Sequence, residues 1–171
     1  GLKRDRVKVF LNQEVTPQMV EKIKPDAVVV ATGATPATLD VPGIDGKNVV
    51  QATDVLTGKV DVGQEVVVIG GRLVGLDVAL FLAEHGKNVS IVTRSKIARG
   101  VGHHLRMPLT ELLIKYRVRL YPNSIPDSIT EKGVNVWWDS GEPPTKAKDW
   151  VFFFLKADTV VLAVGAKSQN Q

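Results

Sequence analysis

The stretch EVVVIGGRLVGLDVALFLAEHGKNVSIVTR, residues 65–94, decides how the chain folds. Residues 65–69 form a largely β-branched, apolar run of the length of a strand buried on both faces, and the pair Gly70-Gly71 ends that run. From residue 73 to residue 85 the apolar side chains recur at helical spacing, and Gly86 stands where a helix commonly ends in glycine. A second strand is predicted over residues 88–93. The pattern therefore predicts a βαβ unit whose glycine-rich first turn directs the N–H groups of a helix N-terminus at an anion.

The glycines of this turn approximate the G-x-G-x-x-G fingerprint of a dinucleotide-binding, Rossmann-type domain. Gly70 and Gly75 hold the first and third glycine positions, and Arg72 holds the second. The strand after the helix ends where such a site places the residue that contacts the adenine ribose. A tight βα turn of another α/β protein is the alternative interpretation. The candidate cofactor-binding residues of the turn are Gly70, Gly71, Arg72, Leu73, Val74 and Gly75.

Short elements are predicted on the N-terminal side of this unit. The first three are a half-buried or edge strand over residues 6–11, a helix from Thr16-Pro17 to about Lys24, and a buried strand over residues 28–31 that ends at Thr32-Gly33. They are followed by an irregular crossing segment over residues 34–47, a short strand at Val49-Val50, and one helical turn to Leu56 capped by Thr53 or Asp54.

The sequence on the C-terminal side of this unit indicates a change from helices to antiparallel strands. The predicted elements are a helix over residues 103–116 with Pro108 in about its first turn, a strand over residues 118–121, a three-stranded β-meander over residues 124–130, 133–138 and 150–155 with a second loop at residues 140–148, a buried strand over residues 159–163, and a loose polar tail over residues 166–171.

The composition of the chain excludes several kinds of functional site. The chain has 171 residues, a net charge of +4 and no cysteine, so disulfides, thiolate metal sites and a redox-active dithiol are excluded within it. No apolar run approaches a membrane span; a cytoplasmic protein is expected. The basic balance fits a phosphorylated small ligand better than nucleic acid. His103 and His104 have no third ligand at metal spacing, and no nucleophile–base pair is visible, so neither a metal site nor a catalytic residue is predicted.

Two segments make a family resemblance specific: PDAVVVATGATPATLDVPGIDG, residues 25–46, and VVQATDVLTG, residues 49–58. Together with the glycine fingerprint, the meander and a last strand that ends in AVG, they resemble the pyridine nucleotide–disulfide oxidoreductase superfamily. The chain is most similar there to the C-terminal reductase module of the dienoyl-CoA reductase and trimethylamine dehydrogenase family, in which an old-yellow-enzyme barrel is fused to that module.

The resemblance implies an α/β fold, with a Rossmann-type parallel sheet, helices and a meander crossover. It divides the chain into a flavin-domain remnant (1–35), a crossing segment (36–60), an NAD(P)-binding domain (61–165) and a tail (166–171). It places a flavin-side turn at Ala31, Thr32 and Gly33, and the edge of the NAD(P) site at Ala163, Val164 and Gly165. It implies a domain that presents hydride from NADPH or NADH to a flavin in the intact enzyme.

The chain also departs from the family pattern. The first glycine fingerprint, the later Gly-Asp motif and the barrel are missing, so we expect a fragment whose partners are the flavin domain and barrel of a parent protein. FAD is expected in that parent and not in this chain, which is expected to be inactive alone. A degenerate domain kept as a structural or docking module is the alternative. A short-chain dehydrogenase or methyltransferase is disfavoured, because its crossovers are helices whereas residues 124–155 are predicted to form a meander. The dehydrogenase also needs a catalytic Tyr-Lys pair, which Tyr116 and Tyr121 do not supply.

Cofactor binding and preference are expected to depend on residues 93–96 and on Arg72. Thr93 stands where NAD-preferring members carry an acidic residue, and Arg94, Ser95 and Lys96 follow it. A guanidinium binds a 2′-phosphate with paired hydrogen bonds, so NADP(H) is expected over NAD(H); a solvated basic turn is the alternative. Arg72 either swings aside to pair with the phosphates or fills the pyrophosphate position, and Arg72→Gly is expected to tighten NADPH binding about tenfold.

Overall fold

The computed structural model describes residues 7–139 and 150–169 of the chain. Contacts divide these into two units, residues 7–33 and residues 34–169. The predicted second meander loop, residues 140–148, lies outside the described residues.

The first unit contains one helix, α1 (Pro17–Ile23), which Thr16 caps and in which proline takes the first position, as predicted. The prediction of two strands in this unit was wrong, since residues 7–11 and 28–31 form no strand. Val29 is 88% exposed, and the described residues 7–33 provide no neighbouring strand for it. A single strand leaves its backbone groups without partners, so an apolar run alone does not form a sheet.

The second unit begins with β1 (Ala34–Pro36) and ends with β10 (Ala166–Ser168). Between them lie, in chain order, β2 (Val49–Gln51), α2 (Ala52–Leu56), β3 (Glu65–Ile69), α3 (Leu73–Glu84), β4 (Asn88–Val92), α4 (His103–Lys115), β5 (Arg119–Tyr121), β6 (Ser124–Thr130), β7 (Gly133–Asp139), β8 (Trp150–Lys156) and β9 (Thr159–Leu162). The predicted fold class is confirmed: β2-β9-β3-β4-β5 form a parallel sheet, and β6-β7-β8 form an antiparallel meander.

Alternating side chains of the parallel strands form two cores. On one face, Val66 and Val68 of β3 pack with α2, α3 and α4; on the other face, Val67 and Ile69 pack with the meander. All four are at most 3% exposed. A strand buried on both faces reads as a continuous apolar run, which explains why the sequence located β3 without error.

The outward face of the meander is apolar. Trp137 lies opposite Phe152 in the register, with ring centroids 4.6 Å apart, and Phe154 lies two residues further along β8. Trp137 is 39% exposed and the two phenylalanines are each 49% exposed. The alternate residues Trp138 and Phe153 are only partly exposed.

Three smaller predictions need correction. Residues 34–36 and 166–168 pair as antiparallel strands, so neither the crossing segment nor the tail is wholly irregular. Gln51, not Thr53 or Asp54, is the N-cap of α2, because β2 runs directly into that helix.

Pro108 is the sixth residue of α4 and not in its first turn. A proline there leaves the carbonyl of His104 without an intrahelical N–H donor. Both residues are exposed, so water can satisfy that carbonyl and the helix tolerates the proline.

Candidate functional site

The glycine-rich turn lies at the carboxyl edge of the parallel sheet. β3 ends at Ile69, directly before Gly70, whose φ is +126°. α3 begins two residues after Gly71, with Arg72 as its N-cap. The amide of Gly70 donates to the carbonyl of Val92 at 2.8 Å. This bond ties the turn to the end of β4.

Three glycines of the turn approach backbone or side chains too closely to carry a Cβ. A Cβ on Gly70 would overlap the carbonyl oxygen of Ala163, and one on Gly75 would overlap the carbonyl oxygen of Gly70. A Cβ on Gly71 would lie 2.8 Å from Cγ2 of Thr93. The absence of a Cβ at the first and third fingerprint glycines therefore lets the turn and α3 approach the ends of β9 and β3 closely. The requirement at Gly71 was missed from the sequence, because the fingerprint leaves that position variable.

The N-terminus of α3 has no side-chain cap. Arg72 makes no capping hydrogen bond, and the first turn carries no acidic residue. Leu73 and Val74 are 44% and 49% exposed, so the start of the helix faces outward. Free N–H groups at the start of a twelve-residue helix favour an anion such as a pyrophosphate.

The end of β4 is rigidly held. Thr93 is 8% exposed, its amide donates to the carbonyl of Tyr121 at 3.1 Å, and its carbonyl accepts from the amide of Ser124 at 2.8 Å. Its side chain packs against Gly71. Arg94 and Lys96 are exposed and Ser95 is partly exposed, so the charged groups of this segment lie outside the packed end of the strand.

The loop over residues 94–102 is fastened to the glycine turn. The amide of Ala98 donates to the carbonyl of Gly71 at 2.9 Å, and the amide of Val101 donates to the carbonyl of Ala98. Ala98 is 1% exposed and adopts a φ of +58°, a left-handed conformation that costs an alanine about 1–3 kcal/mol. The surrounding bonds hold this strained residue in place. No sequence signal marks it, since alanine has no preference for that conformation.

The end of β9 completes the edge. Ala163 is 9% exposed and its amide donates to the carbonyl of Ile69 at 2.9 Å. Val164 is partly buried, and Gly165 has a φ of +111° and accepts a hydrogen bond from the amide of Ala37. Because β4, β3 and β9 are neighbours in the sheet, the predicted segments 70–75, 93–96 and 163–165 meet at one edge. Ala31, Thr32 and Gly33 belong to the other unit.

The two edges of the parallel sheet differ in the charged side chains that they carry. Arg72, Arg94, Lys96 and Arg99 are exposed at the carboxyl edge, and no carboxylate of residues 7–139 or 150–169 forms an ion pair with any of them. At the opposite edge, where the parallel strands begin (the amino edge), the carboxylates of Glu65 and Asp158 accept hydrogen bonds. A hydrogen bond from Asn88, aided by Arg119, holds the pKa of Glu65 below its ordinary value. The backbone N–H groups of Glu65 and Gln64 do the same for the pKa of Asp158.

The structure offers no metal centre in the part of the chain that it describes, where no three His, Cys, Asp or Glu residues are grouped to hold an ion. His103 and His104 are exposed at the start of α4. Among the described helices, none is both long and apolar enough to cross a membrane. Clefts of about 480 Å³, beside Glu65 and Arg119, and about 360 Å³, beside Asp61 and Asp158, open at the amino edge.

The chain is similar to known proteins along nearly its whole length. A family model described as pyridine nucleotide-disulphide oxidoreductase matches residues 1–171. The chain is 34% identical over 169 residues to the NADH oxidase of Thermoanaerobacter brockii, covering 96% of this chain and 25% of that protein. It is 32% identical over 168 residues to the cinnamate reductase of Clostridium sporogenes, covering 96% of this chain and 24% of that protein.

Similarity over nearly the whole chain also extends to solved structures. The complex of 2-naphthoyl-CoA reductase with 2-naphthoyl-CoA superposes with a TM-score of 0.81 at 29% identity, covering 99% of this chain and 24% of that one. The chain therefore spans about a quarter of the length of these relatives.

Proposed function

Because the chain belongs to the pyridine nucleotide-disulphide oxidoreductase family, we propose that it is the NAD(P)H-binding domain of a flavin-dependent oxidoreductase. In the intact enzyme it presents the hydride of NADPH or NADH to a flavin. The observation that carries the proposal is the glycine turn at the carboxyl edge, which closes on β9 and places the uncapped N-terminus of α3 outward.

The residues of the turn fit a nicotinamide dinucleotide. Gly70, Gly71 and Gly75 let the turn pack closely against Ala163, Thr93 and the start of α3. The first N–H groups of α3 supply donors for a pyrophosphate. Ala163, Val164 and Gly165 border the same edge and would limit the position of the nicotinamide half. The bound cofactor supplies the hydride, while the protein binds and orients it.

We propose that NADPH is preferred over NADH. Arg94 and Lys96 are exposed beyond the end of β4, and Thr93 replaces the carboxylate that would repel a 2′-phosphate. Ser95 lies between these cations, and its hydroxyl donates to the carbonyl of Lys96 at 3.4 Å. A charge-assisted hydrogen bond of this kind contributes about 1.5–3 kcal/mol.

The flavin belongs to a parent protein in this proposal. The described residues 7–33 hold one seven-residue helix and no strand, so they do not themselves form a dinucleotide fold around FAD. Ala31, Thr32 and Gly33 are proposed as the chain's contribution beside the flavin. The partners are a flavin domain and a barrel, and the division at residues 35, 60 and 165 remains a prediction.

Calorimetric titration of NADPH and NADH tests the cofactor preference. We expect the wild-type chain to bind NADPH more tightly, and Arg94→Ala to remove on the order of 1.5–3 kcal/mol from NADPH binding while changing NADH binding little. Arg117→Ala, which removes an exposed arginine before β5 at the opposite edge, is the matched control. Equal affinities that Arg94→Ala leaves unchanged would contradict the preference.

A degenerate domain kept as a docking module is the second candidate. It is favoured by Arg72, which replaces the second fingerprint glycine, and by the apolar outward face of the meander at Trp137, Phe152 and Phe154. Failure of the wild-type chain to bind either dinucleotide would favour this candidate over the first.

A further inference from the structure

The guanidinium of Arg72 lies beside the loop that follows β4. Its Nη2 atom is 4.0 Å from the position that a Cβ on Gly100 would take. Gly100 belongs to the loop over residues 94–102, which the Ala98 amide fastens to Gly71. The side chain thus extends from the second fingerprint position towards the segment that carries Arg94, Lys96 and Arg99.

Arg72 has no counter-ion there. It is exposed, and within residues 7–139 and 150–169 it forms neither a hydrogen bond of its side chain nor an ion pair. Arg99 precedes Gly100, and Arg94 follows Thr93, whose side chain packs on Gly71. Cations that flank one turn without carboxylates repel one another, and a doubly charged anion bound among them relieves that repulsion.

A phosphorylated dinucleotide offers two such anions. The pyrophosphate meets the donors of the α3 N-terminus. The ribose 2′ position lies at the end of the second strand of a βαβ unit, here the end of β4. Thr93 is only 8% exposed. The exposed side chains near it, Arg94 and Arg72, are therefore more accessible to a 2′ substituent than Thr93 itself.

We propose that Arg72 binds the 2′-phosphate of NADP(H) and is a specificity-determining residue of this site. The inference rests on the proposed dinucleotide-binding function. A planar guanidinium can bind one phosphate through two parallel hydrogen bonds, and Arg72 approaches from the glycine turn while Arg94 approaches from the end of β4. The arginine at the second glycine position then selects the cofactor and does not obstruct it.

The effect of removing Arg72 consequently changes sign for NADPH. The sequence alone led to the expectation that Arg72→Gly tightens binding, because the Cβ and long stem of an arginine hinder the approach of the backbone to the pyrophosphate. In the proposed arrangement the guanidinium lies at the loop beside Gly100 and binds the 2′-phosphate. Its removal should weaken NADPH binding and leave NADH binding nearly unchanged.

The test compares ligands that differ only in the 2′-phosphate. Adenosine 2′,5′-bisphosphate and AMP are titrated against the chain, followed by NADPH and NADH, using the wild type, Arg72→Gln and Arg72→Lys. Arg117→Gln is the control for loss of one exposed positive charge. Arg72→Gln should weaken adenosine 2′,5′-bisphosphate and NADPH about tenfold or more and change AMP and NADH by about twofold or less. Arg72→Lys should retain part of the preference, because the charge remains.

Two groups of outcomes would overturn the inference. If Arg72→Gln weakens AMP and the bisphosphate equally, the guanidinium contacts a group common to both; if it tightens NADPH, the side chain obstructs the site. A wild-type chain that binds neither dinucleotide would refute the proposed function itself. A wild-type chain that binds both, with a ratio of affinities that Arg72→Gln leaves unchanged, would refute only the role of Arg72. Melting temperatures verify that each variant is folded.

Discussion

Replacement of Gly75 by alanine should destabilise the domain although it improves helix propensity. Gly75 is the third residue of α3. A Cβ there would overlap the carbonyl oxygen of Gly70 and lie 2.8 Å from its carbonyl carbon, where ordinary contacts begin at 3.4 Å. The helix would therefore have to withdraw from the end of β3.

The size of the effect follows from what that withdrawal disturbs. Leu76, Val78 and Ala79 of α3 are all 0% exposed, and overpacking of a dense core costs about 1–3 kcal/mol. Alanine returns at most about 1 kcal/mol through its helix propensity. With a cost near the upper end, the net loss is about 2 kcal/mol, which lowers the melting temperature by about 4–8 °C for a chain of this length.

Thermal unfolding followed by circular dichroism measures this loss. Asp77→Ala is the matched control, because it introduces alanine on the exposed side of the same helix and should stay within about 0.5 kcal/mol of the wild type. Dinucleotide affinity should also fall in Gly75→Ala, since the same shift moves the helix N-terminus. If Gly75→Ala melts at or above the wild-type temperature, the close approach of α3 to Gly70 is not the constraint that we describe.

Two other predictions concern acid and flavin. The pKa values of Glu65 and Asp158 are lowered by folding, so the stability that these groups contribute is present above their ordinary pKa values and is lost as the pH falls below about 4. The melting temperature should drop in this acid range, and it should drop less in Asp158→Asn. An equal drop in that variant would exclude Asp158 as a source of the acid sensitivity. The purified chain should release no stoichiometric flavin on denaturation, because residues 7–33 hold no dinucleotide fold; visible absorbance that corresponds to about one flavin per chain would contradict this.

The central βαβ unit could be predicted from the sequence because its signals are local. The apolar run of β3, the helical spacing of α3 and the glycines between them all lie within thirty neighbouring residues. The meander was predictable for the same reason, since its strands follow one another and β6 meets β7 across the two residues Glu131 and Lys132.

Features that depend on distant pairing were not predictable. β9 inserts between β2 and β3, and β1 pairs with β10, although no local pattern connects these segments. The apolar residues 28–31 carry a strong strand signal and yet form no strand, because strand formation requires a neighbour. Within the site, the contact of Gly71 with Thr93, the left-handed Ala98 and the direction of the Arg72 side chain arise only when β4 and its loop meet the turn.

Titration of the ¹⁵N-labelled chain with NADPH, followed by amide chemical shifts, tests most directly whether the carboxyl edge is a dinucleotide site. We predict saturable shifts at Gly70, Gly71 and Gly75, in the loop over residues 94–102, and at Gly165, because these amides border the proposed site. An absence of saturable shifts, or shifts confined to Glu65, Asn88 and Arg119 at the amino edge, would contradict the proposed site.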